Sequence, residues 1–486
     1  MGRLGIGRTL WHMAIDRGSI KGRKVTVMGL GRFGGGLGAI SWLHEAGAML
    51  TVTDLAPPDQ LQEPLAAMKA ISRGGADIEL RLGGHEEIDF TQADLVVANP
   101  AVPTPWSNRF LAAARDAGVP VTSEICLALA NLGGAGHGPP RTIAVTGSAG
   151  KSTTTAMIHH LLGSLGQQCL LGGNIGGSLL EHVHVLDADS WIALELSSAQ
   201  LHWLRDHHEN GLLDWAPTIG CLTNISPNHL DWHGNLEHYI RCKSWIRSCC
   251  DHKDTRFCSR FELSTDAESI QSTSGSAAWW ETDLKHIDQW NHGVLSIPGS
   301  HNMENAMLAI EAVRLGLVEA GIQDPGEESL ASLLPDFKGL PHRLRLVVEA
   351  GGIKAFDDSK STTPTATALA VASFTDRSRV HLIAGGYDKG SDLGQIASMA
   401  GELGGLYTIG QTGKTLATDE RAHDCGTLEV AVGQAIARMK SGDSILLSPG
   451  CASWDQFANY QERGDAFTRL VLSELGHHEA VSTAGP

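Results

Sequence analysis

The run from Thr142 to Thr155, Thr-Ile-Ala-Val-Thr-Gly-Ser-Ala-Gly-Lys-Ser-Thr-Thr-Thr, constrains this chain more than any other stretch. Thr142 to Val145 has the β-rich apolar character of a buried strand, and Ser152, Met157, Ile158, Leu161 and Leu162 have helical spacing. Gly147 and Gly150 allow the joining turn to approach an anion, free amides at the helix start point toward it, and Lys151 adds a mobile positive charge. The pattern therefore predicts a strand, a phosphate cradle and a helix. Ser152 stands where a hydroxyl can ligate the magnesium of a nucleoside triphosphate. The usual phosphate loop would put its first glycine at Val145, so this one is two residues tighter.

A length of 486 residues predicts about three domains. The 57 glycines suit the many strand-to-helix turns of α/β domains, and a formal net charge of −17 argues against a nucleic-acid partner, since phosphate backbones need a basic surface. Phosphate recognition must then be local. The nine cysteines form no Cys-x-x-Cys, which suits a reduced, cytoplasmic setting. Residues 1–21 read as an extension: Arg3, Arg8, Asp16 and Arg17 interrupt any signal-like apolar run, and no stretch suggests a membrane span.

Along the chain, Lys24 to Met28 reads as a strand entering Gly29-Leu30-Gly31-Arg32-Phe33-Gly34, and a second strand, Met49 to Thr53, ends at Asp54. This is a dinucleotide-type fingerprint, whose geometry serves any diphosphate-bearing ligand. Leu95 to Ala98, before Asn99-Pro100, and Val119 to Val121 are further expected strands. Asn131 to Pro140, rich in glycine and proline, is the expected first linker. In the central region Gly172 to Gly176 reads as a turn carrying Asn174, and Trp191 to Leu196 as a strand carrying Glu195. A carboxylate at the end of a buried strand is costly unless paired or bound to metal, so magnesium is its expected partner. Cys221 to Ile225 is the next expected strand, before Asn228-His229-Leu230-Asp231-Trp232-His233. His229 and His233 are four apart, but with no Glu-x-x partner they make a poor zinc pair, and one histidine beside the nucleotide's metals fits better. Lys243 follows on a helix where spacing alone predicts a solvated side chain.

Residues 248–297 carry no legible pattern; a helical run then follows from Gly299 to Leu317, and Phe337 to Arg343 forms the expected second linker. The last region predicts strands at Leu344 to Val348, Lys354 to Phe356, Val380 to Ala384, Leu406 to Ile409 and Ser444 to Leu447. Asp357 to Thr362, Gly385 to Gly390 and Ser448 to Phe457 follow three of these strands, where open α/β sheets bind ligands.

Taken together, Thr-Gly-x-x-Gly-Lys-Ser, Glu-Leu-Ser-Ser, Asn-His-x-Asp, Pro-His-Arg, Asp-Ser-Lys and Ser-Pro-x-Cys-Ala-Ser-x-Asp-Gln-Phe resemble the Mur ligase superfamily in content and order, from about Gly22 to about Leu475. The resemblance implies three α/β domains: a Rossmann-like domain at 22–131 for a UDP-linked substrate, a central phosphate-loop domain at 132–340 for ATP, and a Rossmann-like domain at 341–486 contacting amino acid and nucleotide. It implies a cytoplasmic ligase, expected to be a monomer, that joins D-glutamate to UDP-N-acetylmuramoyl-L-alanine with ATP and two magnesium ions, through an acyl phosphate. Carried over residue by residue, Gly147, Ser148, Ala149, Gly150, Lys151, Ser152, Thr153, Asn305, Arg343 and Asp358 would contact ATP. Ser152, Glu195, His229 and Lys243, the last as a carbamate, would hold metal. Gly31, Arg32, Phe33, Asp54, Asn99 and Asn174 would contact the UDP-linked substrate; Lys360, Thr362, Lys389, Ser453, Trp454 and Tyr460 would form the D-glutamate pocket. Ala149 replaces the family's usual loop asparagine, Ala101 follows Asn99-Pro100 where Ser-Pro-Gly is usual, and Leu55 replaces a threonine beside Asp54. A nicotinamide-dependent oxidoreductase would leave the phosphate loop unexplained. A superfamily ligase for another amino acid fits the C-terminal motif less well, and a non-catalytic nucleotide-binding regulator has only Ala149 in its favour.

Overall fold

The computed structural model describes residues 17–31, 36–71, 78–133, 138–250, 255–259, 279–281, 295–388 and 390–482. They form three α/β sheets whose strands are parallel, save one at an edge. Parallel neighbours cannot be joined by a tight hairpin, so helices cross between them and bury both faces. The first sheet contains β1 (Lys24–Met28), β2 (Met49–Asp54), β3 (Glu79–Leu82), β4 (Leu95–Ala98) and β5 (Val121–Ser123), in the order β3-β2-β1-β4-β5. The chain turns one way from β1 to β2 and the other way to β4, which opens a crevice at their C-terminal ends.

The second sheet contains β6 (Arg141–Thr146), β7 (Cys169–Gly173), β8 (Trp191–Glu195), β9 (Ile219–Leu222), β10 (Arg256–Ser259) and β11 (Trp279–Glu281), ordered β11-β10-β9-β6-β8-β7. Because β6 lies between β8 and β9, the loops leaving all three strands meet at one end. The third sheet comprises β12 (Arg345–Ala350), β13 (Ile353–Asp357), β14 (Val380–Gly385), β15 (Gly405–Ile409), β16 (Ala422–Gly426) and β17 (Ser444–Leu447), ordered β12-β13-β17-β14-β15-β16, with β12 antiparallel to β13. The chain divides into two compact units, Met1–Leu284 with Met307–Glu327, and Lys285–Ala306 with Glu328–Pro486. The first two sheets belong to the former and the third to the latter.

In the first unit one apolar core runs from Ile40, Leu43 and Val97 of the first sheet's layers to Leu179, Leu204 and Ile246 of the second's. Ser178 packs so tightly on Gly38 that a Cβ there would overlap it, and its hydroxyl donates to Glu124. No helix among the described residues is long and apolar enough to cross a membrane.

Some expected boundaries move. The strand expected at Cys221 to Ile225 starts at Ile219 and ends at Leu222, because Thr223 and Asn224 turn aside to hold the phosphate loop. Gly172 and Gly173, expected in a turn, finish β7. The strand expected at Val119 to Val121 becomes Val121–Ser123, since Pro120 has no N–H for the ladder. Arg32, Phe33, Lys389, and most of residues 1–21 and 248–297, lie outside the described residues.

Candidate functional site

Strand β6 delivers Gly147 to Gly150 to the start of helix Lys151–Ser164. Gly147 has φ of 143° and Gly150 φ of 82°, a region favouring glycine. A Cβ on Gly147 would also overlap Thr223 Oγ1. The loop after β9 clamps the turn: Ser148 N donates to Asn224 O (2.8 Å), and Ala149 N donates to Asn224 Oδ1 (2.9 Å). Ala149 O accepts from Thr223 Oγ1 and from Asn224 Nδ2. Ser148 Oγ lies 2.7 Å from Tyr239 Oη and accepts from Ser226 N (2.8 Å). The turn is therefore held in shape by Thr223, Asn224, Ser226 and Tyr239. None of these is apparent from the phosphate-loop motif. Lys151 Nζ donates to Ser148 O (3.1 Å), Ser152 is buried, and Thr153 is half-buried in the helix's first turn.

Glu195 ends β8, immediately beside β6, and is only 1% exposed. Its Oε1 accepts from Asn174 Nδ2 (2.7 Å), while Asn174 N donates to Glu195 O (2.9 Å). Its Oε2 is buried with no hydrogen-bond partner. Leaving such an acceptor bare costs about 1–3 kcal/mol or more for a charged group. A hard cation would satisfy this oxygen better than any neutral donor, so the residues present fit magnesium.

Lys243, on helix Leu236–Cys249, is 2% exposed rather than solvated. Its Nζ donates to Gly147 O (2.7 Å) and Thr146 Oγ1 (3.4 Å). Burial, then the charge of Lys151, brings its pKa down to about 7, with Glu195 pulling the other way. His229 follows β9 in the left-handed region (φ 52°), a conformation uncommon outside glycine. Partial desolvation, then the charge of Lys151, holds its imidazole below the ordinary pKa. The order β9-β6-β8-β7 thus gathers the histidine loop, phosphate cradle, carboxylate and asparagine at one sheet end.

In the first sheet, Gly31 N donates to Asp54 Oδ2 (3.0 Å) and Ala56 N to Asp54 Oδ1 (2.8 Å), so this carboxylate also organises its own loops. Asn99 Nδ2 donates to Gly29 O (3.2 Å), which joins the loops after β1 and β4.

In the second unit, Asp358 follows β13 and accepts from Leu344 N (3.1 Å), Ser361 Oγ (2.6 Å) and Ser448 Oγ (2.8 Å). Burial nevertheless raises its pKa to about 6. Arg343 lies between His342 (φ 60°) and Leu344 (φ 47°), and its charge acts on Tyr460. Lys360 Nζ sits 5.3 Å from the Tyr460 ring centre, Thr362 is half-buried, Ser453 is buried, and exposed Trp454 lies 5.6 Å from Tyr387, ring to ring. Asn305 is buried on helix Ser300–Glu319, with Nδ2 donating to Asn302 Oδ1 (3.3 Å). Arg463 is a residue the motifs did not reveal: its buried guanidinium donates to Ser359 Oγ and O and to Cys451 O, tying two candidate loops together.

With this geometry in place, comparison with known proteins finds three matching families. The Mur ligase MurD-like N-terminal domain matches residues 23–123, the Mur ligase middle domain 145–313, and the Mur ligase glutamate ligase domain 342–451. The chain is 33% identical to UDP-N-acetylmuramoylalanine–D-glutamate ligase of Acidobacterium capsulatum, over 94% of this chain and 98% of that one. It is 34% identical to the enzyme of the same name from Anaeromyxobacter dehalogenans, with the same coverage. Its fold is similar to that of UDP-N-acetylmuramate-alanine ligase from Thermotoga maritima, with a TM-score of 0.51, 16% identity, and coverage of 93% of this chain and 100% of that one.

Proposed function

Because this chain belongs to the Mur ligase family, we infer that it adds D-glutamate to UDP-N-acetylmuramoyl-L-alanine, with cleavage of ATP, in peptidoglycan precursor synthesis. The structural observation that carries the ligase reading is the pairing, on adjacent strands β6 and β8, of a phosphate cradle with a buried carboxylate whose Oε2 has no partner. Residues 22–131 would take the UDP-linked substrate, 132–340 ATP, and 341–486 the amino acid and part of the nucleotide. Residues 1–21 would be an extension, and the reaction cytoplasmic.

The amides of Gly150 to Ser152 at the helix start and the Lys151 ammonium would bind the β and γ phosphates and offset charge as the substrate carboxylate attacks the γ-phosphorus. This step forms the bond from carboxylate oxygen to phosphorus, breaks the bond from the γ-phosphorus to the β,γ-bridging oxygen and releases ADP; the neutral amine of D-glutamate then attacks the acyl carbon, forming the C–N bond, losing a proton to solvent and expelling phosphate. Ser152, Glu195, His229 and Lys243 would hold magnesium, which supplies Lewis-acid neutralisation of phosphate charge when bound. Asn174 holds Glu195 Oε1, and the partnerless Oε2 would be the oxygen available to magnesium.

Lys243 in this reading is a carbamate: its neutral amine adds to CO2, an N–C bond forms, and a proton leaves to solvent. Support comes from its burial and its pKa of about 7, which leaves much of the amine unprotonated near neutrality. An ammonium at this position would repel a divalent cation, whereas a carbamate offers it oxygen. Arg343, Asp358 and Asn305 would contact the nucleotide, and Lys360, Thr362, Lys389, Ser453, Trp454 and Tyr460 the amino acid. Gly31, Arg32, Phe33, Asp54 and Asn99 would meet the uridine diphosphate end.

The deciding experiment is phosphate release from ATP with UDP-N-acetylmuramoyl-L-alanine and a panel of amino acids. Release is expected only with acceptor, magnesium and D-glutamate together. Equal release with L-glutamate or L-alanine would overturn the assignment of the amino acid.

A further inference from the structure

Apart from the phosphate loop, the first unit brings together a second cluster of side chains of metal-ligating type. His202 projects from helix Ser198–Glu209, and His238 and Cys242, four residues apart and so on one face, project from helix Leu236–Cys249. One donor atom from each lies within 4.8 Å of the other two, and His238 Nε2 is 3.6 Å from Cys242 Sγ. His202 is 7% exposed, and its Nδ1 is buried with no hydrogen-bond partner. A buried imidazole with an unpaired nitrogen, on a ring that also meets a second imidazole and a thiol, is costly as plain packing but suits a ligand set.

The surroundings resemble the outer shell of a built site. The rings of His233 and His238 meet through their Nδ1 atoms at 2.8 Å, and His233 Nε2 lies 2.8 Å from Ser198 Oγ. With His238 Nδ1–H donating to His233, and His233 Nε2–H to Ser198, the tautomers leave His238 Nε2 bare toward Cys242. Trp106 covers His238 at 4.3 Å between ring centres and also flanks His202 at 5.2 Å. Burial foremost brings His202 down to about 3 and His238 to about 4, so both imidazoles are neutral near pH 7, the form that binds metal. Burial pushes the Cys242 thiol up to about 11, while the guanidinium groups of Arg205 and Arg241 pull toward the thiolate.

We propose that His202, His238 and Cys242 form a second metal site, selective for a borderline-soft divalent ion of the zinc class and separate from the magnesium ligands. Two imidazoles and a thiolate match that preference, and magnesium's does not overlap it. Binding breaks the Cys242 S–H bond, forms a sulfur–metal bond and releases the proton to solvent, with no change of oxidation state; a water would complete a tetrahedral set. The ion would brace helix Leu236–Cys249, which also carries Lys243, against helix Ser198–Glu209.

The test is a Co2+ titration of the full-length, reduced protein in excess Mg2+, with Co2+ standing in for zinc. One equivalent is expected to produce thiolate-to-cobalt charge-transfer absorption together with the visible bands of tetrahedral cobalt, and Zn2+ should abolish both. Cys242→Ser should lose the charge-transfer band, and His238→Gln should lose stoichiometric binding. His233→Phe should weaken affinity by about 10- to 100-fold. Cys169→Ser, which removes the partly exposed thiol among the described cysteines, should leave the spectrum intact. Absence of the band in the unaltered protein would overturn the proposal, as would a band that survives Cys242→Ser or disappears with Cys169→Ser.

Discussion

At Lys243, helix Leu236–Cys249 brings an amine to the carbonyl of Gly147, 2.7 Å away. Nothing in Arg241-Cys242-Lys243-Ser244 announces this, because a mixed basic stretch reads as a solvated face. The family resemblance suggested the carbamate role proposed above, and burial is what supports that proposal. If Lys243 is a carbamate, Lys243→Ala should lose most phosphate release and recover part of it with added acetate. Lys243→Arg should stay inactive, since a guanidinium cannot take up CO2 here; full activity in that variant would leave no room for the carbamate. Asp358 gives a second prediction, on stability. Its carboxyl has a pKa near 6 in the folded protein against 3.8 ordinarily, so the folded state holds the proton more tightly. Its contribution is fully present below about pH 4 and is lost as pH rises through about 6. A shift of this size corresponds to roughly 2–3 kcal/mol. Asp358→Asn should therefore lower thermal stability more at pH 4 than at pH 7.5; an equal loss at both would show that the carboxyl's titration contributes nothing.

The strands legible in the sequence were those dominated by apolar residues, such as β1, β4, β8, β14 and β17. Those missed have a different character. β3 is an edge strand with Glu79 and Arg81 on it, and β7 ends in two glycines. Pairing with a neighbour, which a single sequence does not display, makes them strands. The phosphate turn was legible because glycine there has a geometric cause, whereas Thr223, Asn224 and Tyr239, which hold it, arrive from other elements. This difference can be measured within one strand and helix. Gly147→Ala places a Cβ on Thr223 Oγ1 at a backbone angle alanine avoids. It should abolish ATP binding while circular dichroism stays native. Gly163→Ala, in the helix with nothing within 4 Å of its Cβ, should be neutral or stabilise by up to about 1 kcal/mol. If both variants bind ATP alike, the close approach of Gly147 to the loop after β9 is dispensable.

Across the whole molecule, each sheet carries most of its candidate residues at or beyond the C-terminal ends of parallel strands, as the alternating pattern led one to expect, while Lys243 and Asn305 come from helices. The motifs located these loops and their order along the chain. They did not disclose what braces them: Asp54 holding Gly31, Asn99 holding Gly29, and Arg463 holding Ser359 to Cys451 are contacts between distant residues. The proposed division of labour among the domains leads to a prediction about kinetic signatures. Lys151 sits on the cradle of the second sheet, so Lys151→Ala should abolish phosphate release at any concentration of D-glutamate. Lys360 and Ser453 sit on the loops after β13 and β17 of the third sheet, and should act on the amino acid alone. Removing a charge-assisted contact to a carboxylate costs about 1.5–3 kcal/mol, or roughly ten- to a hundredfold in affinity. Lys360→Ala and Ser453→Ala should therefore raise KM for D-glutamate by about that factor, with KM for ATP nearly unchanged and kcat recovering at high D-glutamate. Ser453 is buried, so its variant must first be shown to melt at the same temperature as the parent. Should KM for ATP rise more than KM for D-glutamate in both variants, the third sheet's loops would belong to the nucleotide, and the amino-acid pocket would have to be sought elsewhere on the chain.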